Sequence, residues 1–210
     1  GKVTTRTGTA VTMHLKDPSS PLLQTEFLRS TIISHFYPLL DGWFMLKVLS
    51  RVYRKGVTIR IGEDELRLGA KARGERREFF TVFVGSRRKP VGVGFLAAHT
   101  EDLTEEERGV AISTYGKVIK RGWDWLGILP RHPERVSGVV EVPSLAEILT
   151  TSKSDFLKDS TSLQKYYRYR KAILESMGPA LKKLGEAPLP REAQTADLEP
   201  LRREIERVVS

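Results

Sequence analysis

Thr151-Ser152-Lys153-Ser154-Asp155-Phe156 sets one lysine among hydroxyls and beside a carboxylate. A flexible, compact ammonium in such a loop is a suitable ligand for a phosphate oxygen. Nearer the start, Gly8-Thr9-Ala10-Val11-Thr12-Met13-His14-Leu15 is a Gly-Thr turn entering an alternating apolar segment. Taken alone, neither segment carries chemistry, because Gly-Thr opens many strands and a lysine between serines is ordinary surface. Basic residues gather at Arg67, Lys71, Arg73, Arg76, Arg77, Arg87, Arg88 and Lys89, and again at Lys165, Arg168, Arg170, Lys171, Lys182 and Lys183. Tyr166, Tyr167 and Tyr169 interleave the second group, a pattern that suits base stacking on a nucleic acid. The plainer reading puts Tyr166 in the core and leaves the rest as a solvated helix face.

Other chemistries find no support. His14, His35, His99 and His132 lie far apart, without metal-ligand spacing. The sequence has no Gly-x-Ser-x-Gly elbow and no Walker-type phosphate loop. Gly92-Val93-Gly94 lacks the third glycine of a dinucleotide fingerprint and falls within a strand pattern, and Glu105-Glu106-Glu107 is a solvated cluster. No catalytic residue and no metal ligand is assigned.

The net charge of +9 over 210 residues tilts the chain toward phosphate-bearing partners. Cysteine is absent, which removes disulfides and thiolate metal sites and makes the cytoplasm the simplest compartment. No run approaches the roughly 18 apolar residues of a membrane span. The opening Gly1-Lys2-Val3 has neither an initiating Met nor an apolar targeting segment and reads as a cut from something longer.

The elements that must position these residues follow from periodicity. Val11, Met13 and Leu15 predict a half-buried strand, broken at Asp17-Pro18, and Ser20-Pro21 starts a helix carrying Leu28, Ile32, Phe36 and Leu39 to about Asp41-Gly42. Val57 to Leu68 reads as a hairpin turning at Gly62-Glu63-Asp64, and Phe79 to Val84 as a central strand apolar on both faces. Residues 91–98 place Val91, Val93, Phe95 and Ala97 on one face and Gly92 and Gly94 on the other, where something approaches closely. At most a short helix starts at Thr104. Strands follow at 109–115, ending in a Gly116-Lys117 turn, and at 136–142, then a short apolar segment at 145–149. A long helix carries the stripe Leu163, Tyr166, Ile173, Met177, Leu181 and Leu184, with a kink or two abutting helices expected at Gly178-Pro179. Residues 185–196 read as a linker, and Leu198, Leu201, Ile205 and Val208 as a short amphipathic helix. The fold class is α+β, a mixed β-sheet with helices packed on one face.

In this order the segments resemble the GHKL superfamily of gyrase, heat-shock-chaperone, MutL and MORC ATPases. Gly8-Thr9-Ala10-Val11 is similar to the segment opening the last strand of the ATP-binding domain, Val110 to Lys120 to a strand–turn–strand of the following transducer domain, and Gly138 to Val142 to its next strand. Lys153-Ser154-Asp155-Phe156 matches the loop written N-K-x-D-F, with Ser152 in place of the Asn. The resemblance covers about residues 6–184; the loop 124–135 and the insert around 63–90 depart from it.

It implies that residues 1–20 end an upstream ATP-binding domain, that 21–184 are the transducer domain, and that 185–210 are appended. It implies Lys153 at the ATP γ-phosphate, with Thr9 and Gly8 on the adenine side, Asp155 fixing the loop and Phe156 anchoring it. ATP with Mg²⁺ belongs to the intact parent, a likeness to ATP-closed homodimers, and this chain alone holds neither and is inactive. The alternative is a free-standing basic module binding nucleic acid through Arg76, Arg77, Arg87, Arg88, Lys89, Arg168, Arg170 and Lys171. A structural subunit dimerising through the last helix ranks third.

Overall fold

The computed structural model describes residues 8–69, 74–85 and 89–188. In chain order, a 3-10 turn at Pro21–Leu23 leads into α1 (Thr25–Leu40) and α2 (Gly42–Phe44), which continues as a π turn, Met45–Leu49. Then come the strands β1 (Arg60–Ile61), β2 (Asp64–Glu65), β3 (Arg76–Phe83), β4 (Pro90–Ala98), β5 (Gly109–Thr114), β6 (Lys117–Lys120) and β7 (Val136–Glu141). A 3-10 segment at Pro143–Ile148 and the long α3 (Ser160–Leu184) follow.

β3 to β7 form one sheet in the order β3-β4-β7-β5-β6. The β5–β7 pair is parallel and the other pairs are antiparallel, so the sheet is mixed and the class is α+β, as expected. Side chains alternate across it. Phe80, Val82, Leu96, Val110, Ile112 and Val140 point to one face, where Ile173, Met177 and Leu181 of α3 close the larger core. Phe95, Ala97, Ala111, Val118 and Val139 point to the other, under Phe44 and Leu49. The second face thus has its own helical cover, beyond the single covered face that the sequence predicts.

Glycine sets the spacing of the first face. A Cβ on Gly94 would lie 2.6 Å from both Phe80 Cζ and Val139 O, and one on Gly92 2.8 Å from Glu141 O. The expected close approach at β4 is therefore the Phe80 ring and the β7 backbone.

Several expectations need correction. Residues 8–15 form no strand, and Val11 and Met13 are 82% and 69% exposed, because neither sheet includes them. Ser20 makes no side-chain cap and α1 starts at Thr25; the Ser19 hydroxyl and N–H both donate to Asp17 instead. At its other end α1 stops at Leu40 with Asp41 extended, where the sequence predicts, and the Asp41 carboxylate caps the separate α2 by accepting from Phe44 N at 2.9 Å. β3 is an edge strand rather than a central one; Phe79 on its second face stacks on Trp43 with ring centroids 4.1 Å apart, so both faces stay apolar without a second neighbour. The kink at Gly178-Pro179 is not observed. α3 runs unbroken to Leu184, where Gly185 (φ 81°) caps it by donating to the Leu181 and Lys182 carbonyls. Thr104 starts a turn only, and the hairpin before residue 69 reduces to the two-residue β1 and β2. The predicted helix at 198–208 and most of the linker lie outside the described residues.

Candidate functional site

The polar loop of the sequence becomes a closed hairpin between the 3-10 segment and α3. Leu149 and Phe156 pair as an antiparallel bridge, and Leu157 N donates to Ile148 O at 2.8 Å. Inside that bridge Thr150 N donates to Asp155 O (2.9 Å) and Lys153 N to Thr150 O (2.8 Å). The Thr150 hydroxyl adds a bond to Asp155 O at 3.1 Å and accepts Asp155 N at 3.3 Å. Lys153 at the tip has φ 54°, a left-handed conformation uncommon for a side chain with a Cβ, and it is exposed.

The base of the loop is fixed to the sheet. Phe156 is 4% exposed and packs on Tyr166 with centroids 4.9 Å apart. The Asp155 carboxylate accepts Phe156 N at 2.7 Å and pairs with Lys120 of β6 at 2.7 Å; the Lys120 bond and the N–H hold it below the usual carboxylate range. Lys117 reaches the Ser152 carbonyl at 3.5 Å. The ammonium groups of Lys117 and Lys120 and the loop that carries Lys153 therefore share one corner of the sheet. Asp155 engages Lys120, and Lys153 presents its charge to solvent.

The β5–β6 turn beside this corner rests on a residue that sequence reasoning treated only as part of a strand. Glu141 at the end of β7 is 1% exposed. Its carboxylate accepts the Ser113 hydroxyl (2.6 Å), Gly116 N (3.1 Å) and Tyr115 N. Burial pushes its pKa up, against the pull of those three donors. Tyr115 and Gly116 are both left-handed (φ 51° and 80°), and Tyr53 donates to the Tyr115 carbonyl at 2.8 Å. The available signal was one glutamate inside the apolar run Val136 to Val142, a charge that must find partners if buried.

The basic clusters divide. Arg77 is structural: its guanidinium pairs with buried Asp41 at 2.8 Å and lies 4.3 Å over the Phe95 ring. Arg170 is also structural, donating to the Leu126 carbonyl at 2.7 Å, and Arg76 donates to Lys183 O at 3.0 Å. Lys171 sits near Glu175 at 3.9 Å and stays exposed, as do Lys89 and Arg168. Arg87 and Arg88 lie outside the described residues. The tyrosine trio divides as well. Tyr166 and Tyr169 pack against the core, Tyr169 accepting the Ser144 hydroxyl at 3.0 Å, and Tyr167 is 55% exposed. One exposed ring gives no stacking ladder.

Gly8 and Thr9 are exposed, outside regular structure. Among the described residues no three His, Asp or Glu side chains gather as a metal site, and no helix is long and apolar enough to cross a membrane. No protein-family model matches the chain, and no curated protein matches it.

Proposed function

We propose that the chain is the nucleotide-sensing transducer part of a GHKL-type ATPase, with Lys153 reaching the ATP γ-phosphate across the boundary to an upstream ATP-binding domain. The supporting observation is the loop itself: a braced hairpin with an exposed ammonium at its tip that makes no ion pair among the described residues. At about 4 Å and an effective dielectric of 20, such a charge pair attracts by about 4 kcal/mol before ordering and desolvation subtract from it. ADP lacks the γ-phosphate, so a few kcal/mol of that attraction biases two domain orientations ten- to a hundredfold. The apolar, uncovered Val11 and Met13 fit the same reading, since an alternating segment of this kind needs another sheet to complete it.

Mg²⁺ and the hydrolytic groups would belong to the upstream domain, and closure of a homodimer would be the movement relayed. Thr9 and Gly8 would stand at the adenine side. The compartment that suits this reading is the cytoplasm. The nucleic-acid alternative draws less support, because Arg77 and Arg170 are spent inside the fold and Tyr166 and Tyr169 are packed.

The test is ATP turnover by the full-length protein, wild type against Lys153→Ala, with nucleotide binding followed in parallel. Retained ADP binding, weakened ATP binding and collapsed turnover or closure are the expected result. Unchanged turnover and closure would remove Lys153 from the mechanism.

A further inference from the structure

On the face of the sheet away from α3, a cavity of about 620 Å³ lies between α1 and the β4–β7 strands. That volume falls in the range of small-molecule sites, about 300–1,000 Å³. Phe27, Ile33, Tyr37, Phe95 and Leu103 make its walls apolar. Arg121, the residue after β6, supplies a cation to it. One guanidinium nitrogen donates to the Glu107 carbonyl at 3.1 Å, and the group lies 5.8 Å over the Tyr37 ring. Among the described residues its buried Nε has no hydrogen-bond partner, and no carboxylate lies within 4 Å of the guanidinium.

A buried, unpartnered Nε on a guanidinium that makes no ion pair is unusual, because taking a cation out of water is costly. Burial holds the Arg121 pKa below its ordinary value, and the same burial pushes Tyr37 up to about 12. We propose that this cavity binds a small organic acid, an apolar body bearing a single carboxylate, with Arg121 as the partner of the anion. The lining favours a monoanion over a phosphate: Glu106 and Glu107 also line the cavity and repel any anion, a dianion about twice as strongly as a carboxylate. Glu107 accepts from Thr104 N and Oγ1 at 3.4 and 3.3 Å and acts on the guanidinium only through space, without an ion pair within 4 Å. The polar pair His99 Nε2 and Ser137 Oγ, 2.8 Å apart, gives a further hydrogen-bonding wall.

The site is separate from the loop of Lys153. Lys120 and Arg121 leave the end of β6 toward opposite faces, Lys120 to Asp155 and Phe156, Arg121 to Tyr37. The proposal therefore stands or falls without the ATPase reading.

The test is calorimetric titration of the full chain with 2-naphthoate, 4-phenylbutanoate and decanoate, each against the alcohol of the same skeleton. At least one carboxylate should bind tenfold or more tightly than its alcohol, as one charge-assisted bond predicts. That preference should vanish in Arg121→Met. A second variant, Ser34→Phe, fills the cavity from α1 and should abolish binding while the chain stays folded, which keeps the test decisive if Arg121→Met does not fold. No binding at millimolar concentration, no preference for the carboxylate, a preference retained in Arg121→Met, or binding unchanged in Ser34→Phe would each overturn the proposal.

Discussion

Two neighbouring turns carry the two non-glycine residues with left-handed backbones among the described residues, Tyr115 at φ 51° and Lys153 at φ 54°. They are held in opposite ways. The β5–β6 turn is pinned from beneath by Glu141, a carboxylate 1% exposed with three donors. The Lys153 loop is pinned at the surface, by its own hairpin bonds and by Lys120–Asp155, whose side chains are 35% and 40% exposed. A buried anchor contributes mainly to the stability of the sheet. A surface anchor contributes little, and leaves the loop able to exchange its contacts for a ligand's. Architecture and response are therefore separated within one corner of the protein.

The largest expected effect tests the buried anchor. Glu141→Ala strands the Ser113 hydroxyl and the Tyr115 and Gly116 N–H groups, and should lower unfolding free energy by about 3 kcal/mol or more. Urea denaturation measures it, and a loss under about 1 kcal/mol would erase the contrast between the turns. Gly116→Ala comes next. Its Cβ would meet Leu39 Cδ2 at 2.4 Å on a backbone at φ 80°, so strain and overpacking should cost roughly 2–3 kcal/mol by thermal melting.

The pH dependence separates the two anchors by sign. The folded pKa of Glu141 lies above its ordinary 4.5, so the folded state holds the extra proton and this contribution fades as pH rises from about 4.5 through the folded pKa. Asp155 is held below its ordinary 3.8, so its contribution is full above that value and is lost as pH falls through the folded pKa. Glu141→Gln should flatten the first slope and Asp155→Asn the second, in stability measured from pH 3 to 8, a range of about five units. Slopes of the same sign would contradict the assignment. In magnitude Asp155→Asn should cost only about 0.5–1 kcal/mol near neutral pH, as an exposed pair does.

The smallest effect sharpens the comparison. Lys153→Gly relieves the left-handed backbone while removing the ammonium, so stability should stay within about 0.5 kcal/mol of wild type. A loss beyond about 1 kcal/mol would make Lys153 a structural residue.

Much of the fold was legible because β4 alternates, β5 and β7 are short, mostly apolar runs buried throughout, α3 carries a helical stripe, and Gly92 and Gly94 announced their close approach. The loop at Lys153 was legible as a polar segment between elements, with Phe156 as its anchor. Three features were not. Val11 to Leu15 shows strand alternation but forms no strand, since a strand needs a neighbour that alternation cannot supply. Arg77 and Arg170 read as surface cations because sequence distance hides Asp41 and the Leu126 carbonyl, 36 and 44 residues away. Pro179 predicts a kink from local chemistry alone, whereas burial of Met177, Ala180 and Leu181 on the sheet keeps α3 in one piece.

The most direct measurement is the ratio of ATP to ADP affinity in the full-length protein, wild type against Lys153→Ala. The account predicts that ADP affinity is unchanged while the preference for ATP falls about ten- to a hundredfold, the share of a γ-phosphate contact. An unchanged ratio would contradict it.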